Sequence, residues 1–163
     1  MTALSGSMKK NGKLSISSAY EHFIIHYPVV LWWKVVLNAG YVPKHSFISW
    51  LAIKNRLKTK DKLSIWGVTD NDRCMFCNRE AETVEHLFFE CILSKSIMGK
   101  VLHCCLIDRG VYRWRRELSW MSRKAVGKSL LARVRRTAFN CSVYNIWKGR
   151  NKSIFGDRRV EET

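Results

Sequence analysis

The sequence predicts an all-α fold, a single helical domain organised around a Cys3His knuckle, and three observations carry that expectation. Apolar residues recur mostly at helical spacing along the chain. Only two prolines, Pro28 and Pro43, interrupt 163 residues, of which 47% are hydrophobic, enough to bury a core. Finally, Cys74-x2-Cys77-x8-His86-x4-Cys91 places three thiols and one imidazole within eighteen residues. Cys sulfur and His nitrogen close a tetrahedral zinc shell, and a filled four-ligand shell leaves no position for substrate water. One structural Zn2+ is therefore expected.

Taken in order, residues 1–13 read as a flexible basic lead carrying Lys9, Lys10 and Lys13, and 14–155 as the helical domain. Ser17 or Ser18 can cap a short helix through His26, and Pro28 separates it from a second helix, Val29 to Asn38. After Pro43, Phe47, Ile48, Leu51, Ala52 and Leu57 form an apolar helical face. Thr59 or Asp61 caps a further turn through Leu63 and Trp66, which Gly67 stops. Thr83 caps a helix over 84–89. His86 and Cys91 are five apart, which on an ideal α-helix turns their side chains roughly 140° from each other. The helix must loosen or end before Cys91 if both bind one ion. Ile92 to Leu106 reads as a helix with Ile97, Val101, Leu102 and Cys105 inward. Arg109 to Arg123 reads as a basic, aromatic connector. Ser129 to Phe155 is the longest helical pattern, with Leu130, Leu131, Val134, Ala138, Val143, Ile146 and Trp147 inward, and 156–163 is a polar tail.

Six cysteines can mean three disulfides in a secreted protein, but Met1 to Tyr20 lacks the apolar core of a signal peptide. Metal-bound thiols in a reducing compartment, nuclear or cytoplasmic, are the expectation, with mitochondrial import as the alternative raised by the serine- and lysine-containing start. Phe23 to Val42 contains His26, Pro28, Lys34 and Asn38 and makes a poor membrane span, so no membrane partner is expected. No Ser-His-Asp, Cys-His or paired-carboxylate arrangement and no glycine-rich phosphate loop is present, so the expected function is non-catalytic. His22 with His26, and His103 with Cys104, form no complete ligand set. Cys105 and Cys141 read as small buried hydrophobes.

Charge is the second functional signal. The chain carries 29 Lys and Arg against 13 Asp and Glu, a net +16. The excess is uneven: residues 1–60 carry +8, 61–100 carry −2 and 101–163 carry +10. Zinc with three thiolates adds a formal −1 to the middle, so phosphate is repelled from the knuckle and drawn to its flanks. The expected contacts are Arg113, Arg115, Arg116, Arg123, Lys124, Arg133, Arg135, Arg136, Lys148, Arg150 and Lys152. Trp114 is a candidate for stacking on an unpaired base, whereas Trp32, Trp33, Trp50, Trp66 and Trp147 read as core. A nucleic acid, RNA or DNA, is the expected partner, and an acidic protein is the alternative.

Several phrases belong together. Val42-Pro-Lys-His-Ser-Phe-Ile-Ser-Trp-Leu-Ala-Ile-Lys-Asn-Arg-Leu57, Thr59-Lys-Asp-Lys-Leu63 and Trp66-Gly67 precede Cys74-Met-Phe-Cys77 and Glu82-Thr-Val-Glu-His86-Leu-Phe-Phe-Glu-Cys91. Together they closely resemble the plant reverse-transcriptase zinc-binding domain. Gly12-Lys-Leu-Ser-Ile-Ser-Ser-Ala-Tyr20 and Trp147-Lys-Gly-Arg-Asn-Lys-Ser-Ile-Phe155 resemble its opening and its exit, so the resemblance spans roughly residues 11–155. That family closes non-LTR (LINE-like) retrotransposon polyproteins, downstream of the polymerase. The resemblance implies contact with template RNA or target DNA, with Cys74, Cys77, His86 and Cys91 as the zinc ligands. The polymerase's Tyr-x-Asp-Asp-like pair is missing, so polymerase activity does not carry over. The expectation is a free-standing or host-adopted remnant.

Overall fold

The computed structural model describes residues 32–37, 42–125 and 127–156, all within one compact unit, Leu31–Thr163. The basic lead, the helix placed over residues 17–26, both ends of the helix placed over 29–38 and all but Gly156 of the tail lie outside the described residues. Among those described, the elements are α1 (Trp33–Val36), α2 (Pro43–Ile53), α3 (Lys60–Ile65), a π-helical turn (His86–Glu90), α4 (Ile92–Cys104), α5 (Trp114–Lys124) and α6 (Leu130–Phe155). The all-α expectation holds, and the one β feature among the described residues is an isolated antiparallel bridge, Arg73–Ala81.

The long helix α6, about 39 Å at 1.5 Å per residue, is the axis. Ser129 caps it, its side chain accepting the Ala132 amide at 3.2 Å. Phe139, Val143 and Ile146 of α6 meet Leu87, Phe88 and Phe89 of the π turn, Met98 of α4, Met121 of α5 and Val35 of α1 in one core. Trp114 is buried at its centre, with ring centroids 4.9 Å from Phe89, 5.8 Å from Phe88 and 6.2 Å from Phe139. It is therefore a core residue, contrary to the stacking role that its basic neighbours suggested.

Helix α2 starts with Pro43 in its first turn, where the missing amide costs nothing. It buries Ser46, Ser49 and Ala52 against α6, while Phe47, expected inward, is exposed. Small side chains permit the close approach, and Ser46 Oγ donates to the Val36 carbonyl at 2.8 Å, tying α2 to α1. Trp33 and Trp66, also expected in the core, are exposed at 45% and 57%, and Trp32, Trp50 and Trp147 are half-buried.

Residues 109–123 are not a connector. Trp114, Glu117 and Met121 make the buried stripe of α5, and a glutamate on the inner face hid the helical period. That carboxylate is affordable inside because Arg109 grips it bidentately at 2.8 and 2.5 Å and the Tyr112 amide adds a bond at 2.7 Å.

The phase of α6 also differs from its apolar pattern. Leu130, Leu131 and Val134 face outward, whereas Ala132, Arg136, Phe139, Asn140, Val143, Ile146 and Arg150 are buried. Each polar member of that inner stripe has a partner. Arg136 donates to the Ala125 and Gly127 carbonyls, Asn140 Nδ2 to the Val35 carbonyl, and Arg150 to Glu82. Arg136 and Arg150 are thus corrections to the expected phosphate contacts, since both guanidinium groups are spent inside the protein. Arg135 is half-buried and donates to the Cys105 and Leu106 carbonyls at 3.3 Å, satisfying the C-terminal end of α4.

That helix end holds an unusual residue. Leu106 sits at φ 56° with the Ile107 amide on the Leu102 carbonyl at 3.0 Å, a Schellman stop that glycine normally occupies. Its side chain is 79% exposed, so nothing is gained by burial. Leu106→Gly is expected to raise stability by about 0.5–1 kcal/mol, the left-handed penalty less glycine's unfolded-state entropy. An upward shift of the urea midpoint at unchanged slope checks it.

Candidate metal centre

Backbone hydrogen bonds shape the ligand loop. The Cys74 amide donates to the Glu80 carbonyl and the Glu82 amide to the Asp72 carbonyl, a two-bond ladder that folds 72–82 back on itself. Asn78, at φ 52°, makes the reversal, its amide on the Cys74 carbonyl at 2.8 Å. Thr83 Oγ1 accepts the His86 amide at 3.0 Å and opens the helical turn that presents the imidazole.

The loosening demanded by the His86–Cys91 spacing is a π turn. The Cys91 amide bonds the His86 carbonyl, an i→i+5 bond that widens the turn, and Cys91 itself is extended at φ −60°, ψ 133°. The 140° divergence of an α-helix is thereby removed.

The four expected ligands, Cys74, Cys77, His86 and Cys91, converge with all ligand atoms within 4.8 Å of one another. Cys74 and Cys91 sulfurs are 3.9 Å apart, and Cys77 Sγ lies 3.3 Å from His86 Nε2. Zinc bonds of about 2.3 Å to sulfur and about 2.0–2.1 Å to nitrogen give tetrahedral edges of about 3.5–3.8 Å, so the set fits the ion. A disulfide, at about 2.05 Å, it is not. Cys74 and Cys91 are fully buried, while Cys77 borders an open cleft with Arg79, Glu80 and Glu90. Cys104, Cys105 and Cys141 stay outside the cluster, with Cys105 buried as a small hydrophobe.

The thiols are unequal. Burial pushes Cys74 up to about 12, against the pull of the Cys77 and Phe76 amides. Burial also raises Cys77, but the Glu80 and Arg79 amides, with His86 and Cys74, outweigh it and bring it down to about 6. Cys77 is therefore a thiolate at neutral pH, and Cys74 gives its proton up to the metal.

Glu82, invisible to motif reasoning as a functional residue, anchors the knuckle to the helices. Its carboxylate is wholly buried and accepts from Arg150 Nε and Nη2 at 2.8 and 2.6 Å, from the Lys60 amide at 3.1 Å and from the Met75 amide at 3.4 Å. One ion pair thus joins α3, the Cys74–Cys77 turn and the end of α6. Two further glutamates are likewise engaged: Glu85 accepts the Trp114 amide at 2.7 Å and Glu90 pairs with Arg113 at 3.0 Å. Position 82 lies inside the Glu-Thr-Val-Glu-His phrase, but its partner is 68 residues away, beyond any local pattern.

Helices wrapped on a closed Cys3His shell define a structural zinc module. The chain belongs to the family described as zinc-binding in reverse transcriptase, whose model matches residues 14–97. The match takes in all four ligands and ends within α4, before α5 and α6. The family is a zinc-binding module and not the polymerase, and the 163-residue chain contains no polymerase domain. Comparison with curated proteins and with solved structures returned no match.

Three outcomes follow from this geometry. One zinc per chain is expected, retained by Cys105→Ala but lost in Cys91→Ser together with most helical circular dichroism over the core, because the two ligands of the π turn bracket Leu87, Phe88 and Phe89. Zinc affinity should climb at least about tenfold per pH unit above neutral, since uptake expels the Cys74 proton; competition against a chromophoric chelator measures it. Removing one partner of the buried pair, as in Arg150→Leu, should cost about 3–5 kcal/mol, and Glu82→Leu with Arg150→Leu distinctly less than the sum; denaturant unfolding of the zinc-loaded protein checks both.

Proposed function

We propose that this chain is a non-catalytic, zinc-stabilised nucleic-acid-binding module, with RNA or another single-stranded nucleic acid as its partner. The observation that carries this reading is the outward face of α5. Arg115, Arg116, Arg123 and Lys124 are all exposed there, and the helix's one acid, Glu117, is buried and neutralised by Arg109. Arg133 is exposed near the start of α6, and Lys148 and Lys152 toward its end. Of the basic residues expected to contact phosphate, Arg113 adds to this set, 81% exposed beside Glu90. Membership in a family named for reverse transcriptase supports a polynucleotide partner. Guanidinium groups match phosphate bidentately, and their unpaired excess gives a sequence-independent attraction.

A second reading, a host-adopted adaptor docking an acidic protein, is favoured by a different observation. Leu130, Leu131 and Val134 form an exposed apolar stripe beside Arg133. Among the described residues, no helix is long and apolar enough to cross a membrane.

On the nucleic-acid reading, affinity falls linearly on a log–log plot against salt. The triple variant Arg115→Glu, Arg116→Glu, Arg133→Glu weakens binding at least about tenfold and flattens that slope, with zinc content unchanged. Fluorescence anisotropy with a labelled oligonucleotide reads both. Absence of binding at low salt with zinc present, together with a stoichiometric acidic protein partner, would favour the adaptor instead.

A further inference from the structure

The C-terminal half of α6 borders an open groove of about 590 Å³ whose walls include Tyr144, Trp147, Lys148, Asn151, Lys152 and Phe155. These positions follow i, i+3, i+4, i+7, i+8 and i+11, one stripe of one helix about 16 Å long at its rise per residue. Three aromatic rings and two lysines share it, and among the described residues no acid lines it.

The rings are held from behind and open in front. Trp147 packs against the core, and the Arg150 guanidinium carbon stands 4.8 Å from its ring centre. Arg150 is itself locked by Glu82, so the indole is fixed by the same ion pair that anchors the knuckle. Tyr144 rests on His45 at 4.4 Å, with Lys44 Nζ 5.7 Å from its ring. Phe155 is 51% exposed. Asn151 Oδ1 accepts from Arg150 at 2.9 Å, which orients the amide.

A pre-ordered ring pays little entropy when a planar group stacks on it, and lysines at its edge neutralise the charge that such a group brings. An acidic peptide would use the lysines and waste the ring faces. An apolar ligand would use the rings and strand the lysines. Unpaired bases on a phosphate backbone use both. A duplex offers phosphates but keeps its bases stacked on each other. We infer that this groove is a stacking platform for the unpaired bases of a single-stranded nucleic acid, with Tyr144, Trp147 and Phe155 against bases and Lys148 and Lys152 on phosphates. This inference rests on the nucleic-acid reading above and gives it a site and a strandedness.

The test uses the full zinc-loaded chain with a single-stranded RNA of about 12 nucleotides, within the usual footprint of such sites, carrying 5-iodouridine, and a duplex of equal length. The platform predicts photocrosslinks on the peptide containing Tyr144, Trp147 or Phe155. It also predicts that Phe155→Ala with Tyr144→Leu weakens single-strand binding at least about tenfold while duplex affinity stays within about twofold. Zinc content and thermal melting of the variant, unchanged from the parent, establish that it is folded. Should that variant lose its fold, the crosslinks on the parent chain decide alone. Crosslinks that map elsewhere, or a folded variant that binds single strands like the parent, overturn the platform and leave the basic face of α5 standing. Failure of any polynucleotide to bind at low salt overturns the platform and the reading beneath it.

Discussion

The closure of residues 74–91 around one zinc ion is the constraint on which the rest of the fold depends. The stretch has little regular structure to hold it, a single bridge at Arg73–Ala81 and one π turn. Yet the turn between the last two ligands supplies Leu87, Phe88 and Phe89, all essentially inaccessible to solvent and central to the core. Metal and core therefore fix each other: the ion sets the angle at which three large side chains enter, and their burial holds His86 and Cys91 at ligand distance. Structural zinc typically contributes about 10–16 kcal/mol at such sites, as much as a whole domain's usual stability.

The knuckle is transmitted to the helices through a buried charge pair. Glu82 and Arg150 lie in a region where either alone would be costly, and their value depends on hydrogen bonds that also engage the Lys60 and Met75 amides and the Lys58 carbonyl. The same logic governs α6 as a whole. Its inner stripe carries Arg136, Asn140 and Arg150, each with partners on another segment, while three apolar residues near its start face outward. Partner geometry outranks hydrophobicity in setting the rotation of this helix, because turning Arg150 to solvent would strand the buried Glu82 carboxylate, which costs more than an exposed leucine.

Charge is distributed by the same economy. Glu82, Glu85, Glu90 and Glu117 are tied to Arg150, the Trp114 amide, Arg113 and Arg109. Four of the thirteen acidic residues are thus engaged in holding the fold. Basic residues on α5 and along α6 are left facing solvent, and the chain's excess of +16 becomes a surface property. The aromatic groove beside Lys148 and Lys152 adds ring faces to that positive field.

The ligands, the metal and the helical class were legible in residues that lie close together in the chain. Thiol and imidazole chemistry selects the ion, a five-residue spacing demands a break in the α-helix, and Ser129 and Gly67 mark ends by local rules. What stayed hidden depends on distant partners. Glu117 masks the period of α5 because only Arg109 makes it an inner residue, and Trp114 among arginines looks like a contact until Phe88, Phe89 and Phe139 are seen around it. Arg136 and Arg150 count as surface charge in any window of sequence. By itself, then, the sequence determined the zinc shell and the helical class, because both follow from residues within a few turns of each other. Only the tertiary structure decided which face of α6 is buried and which arginines are free, because a charge enters a core only where a partner, here 68 residues away, is already in place.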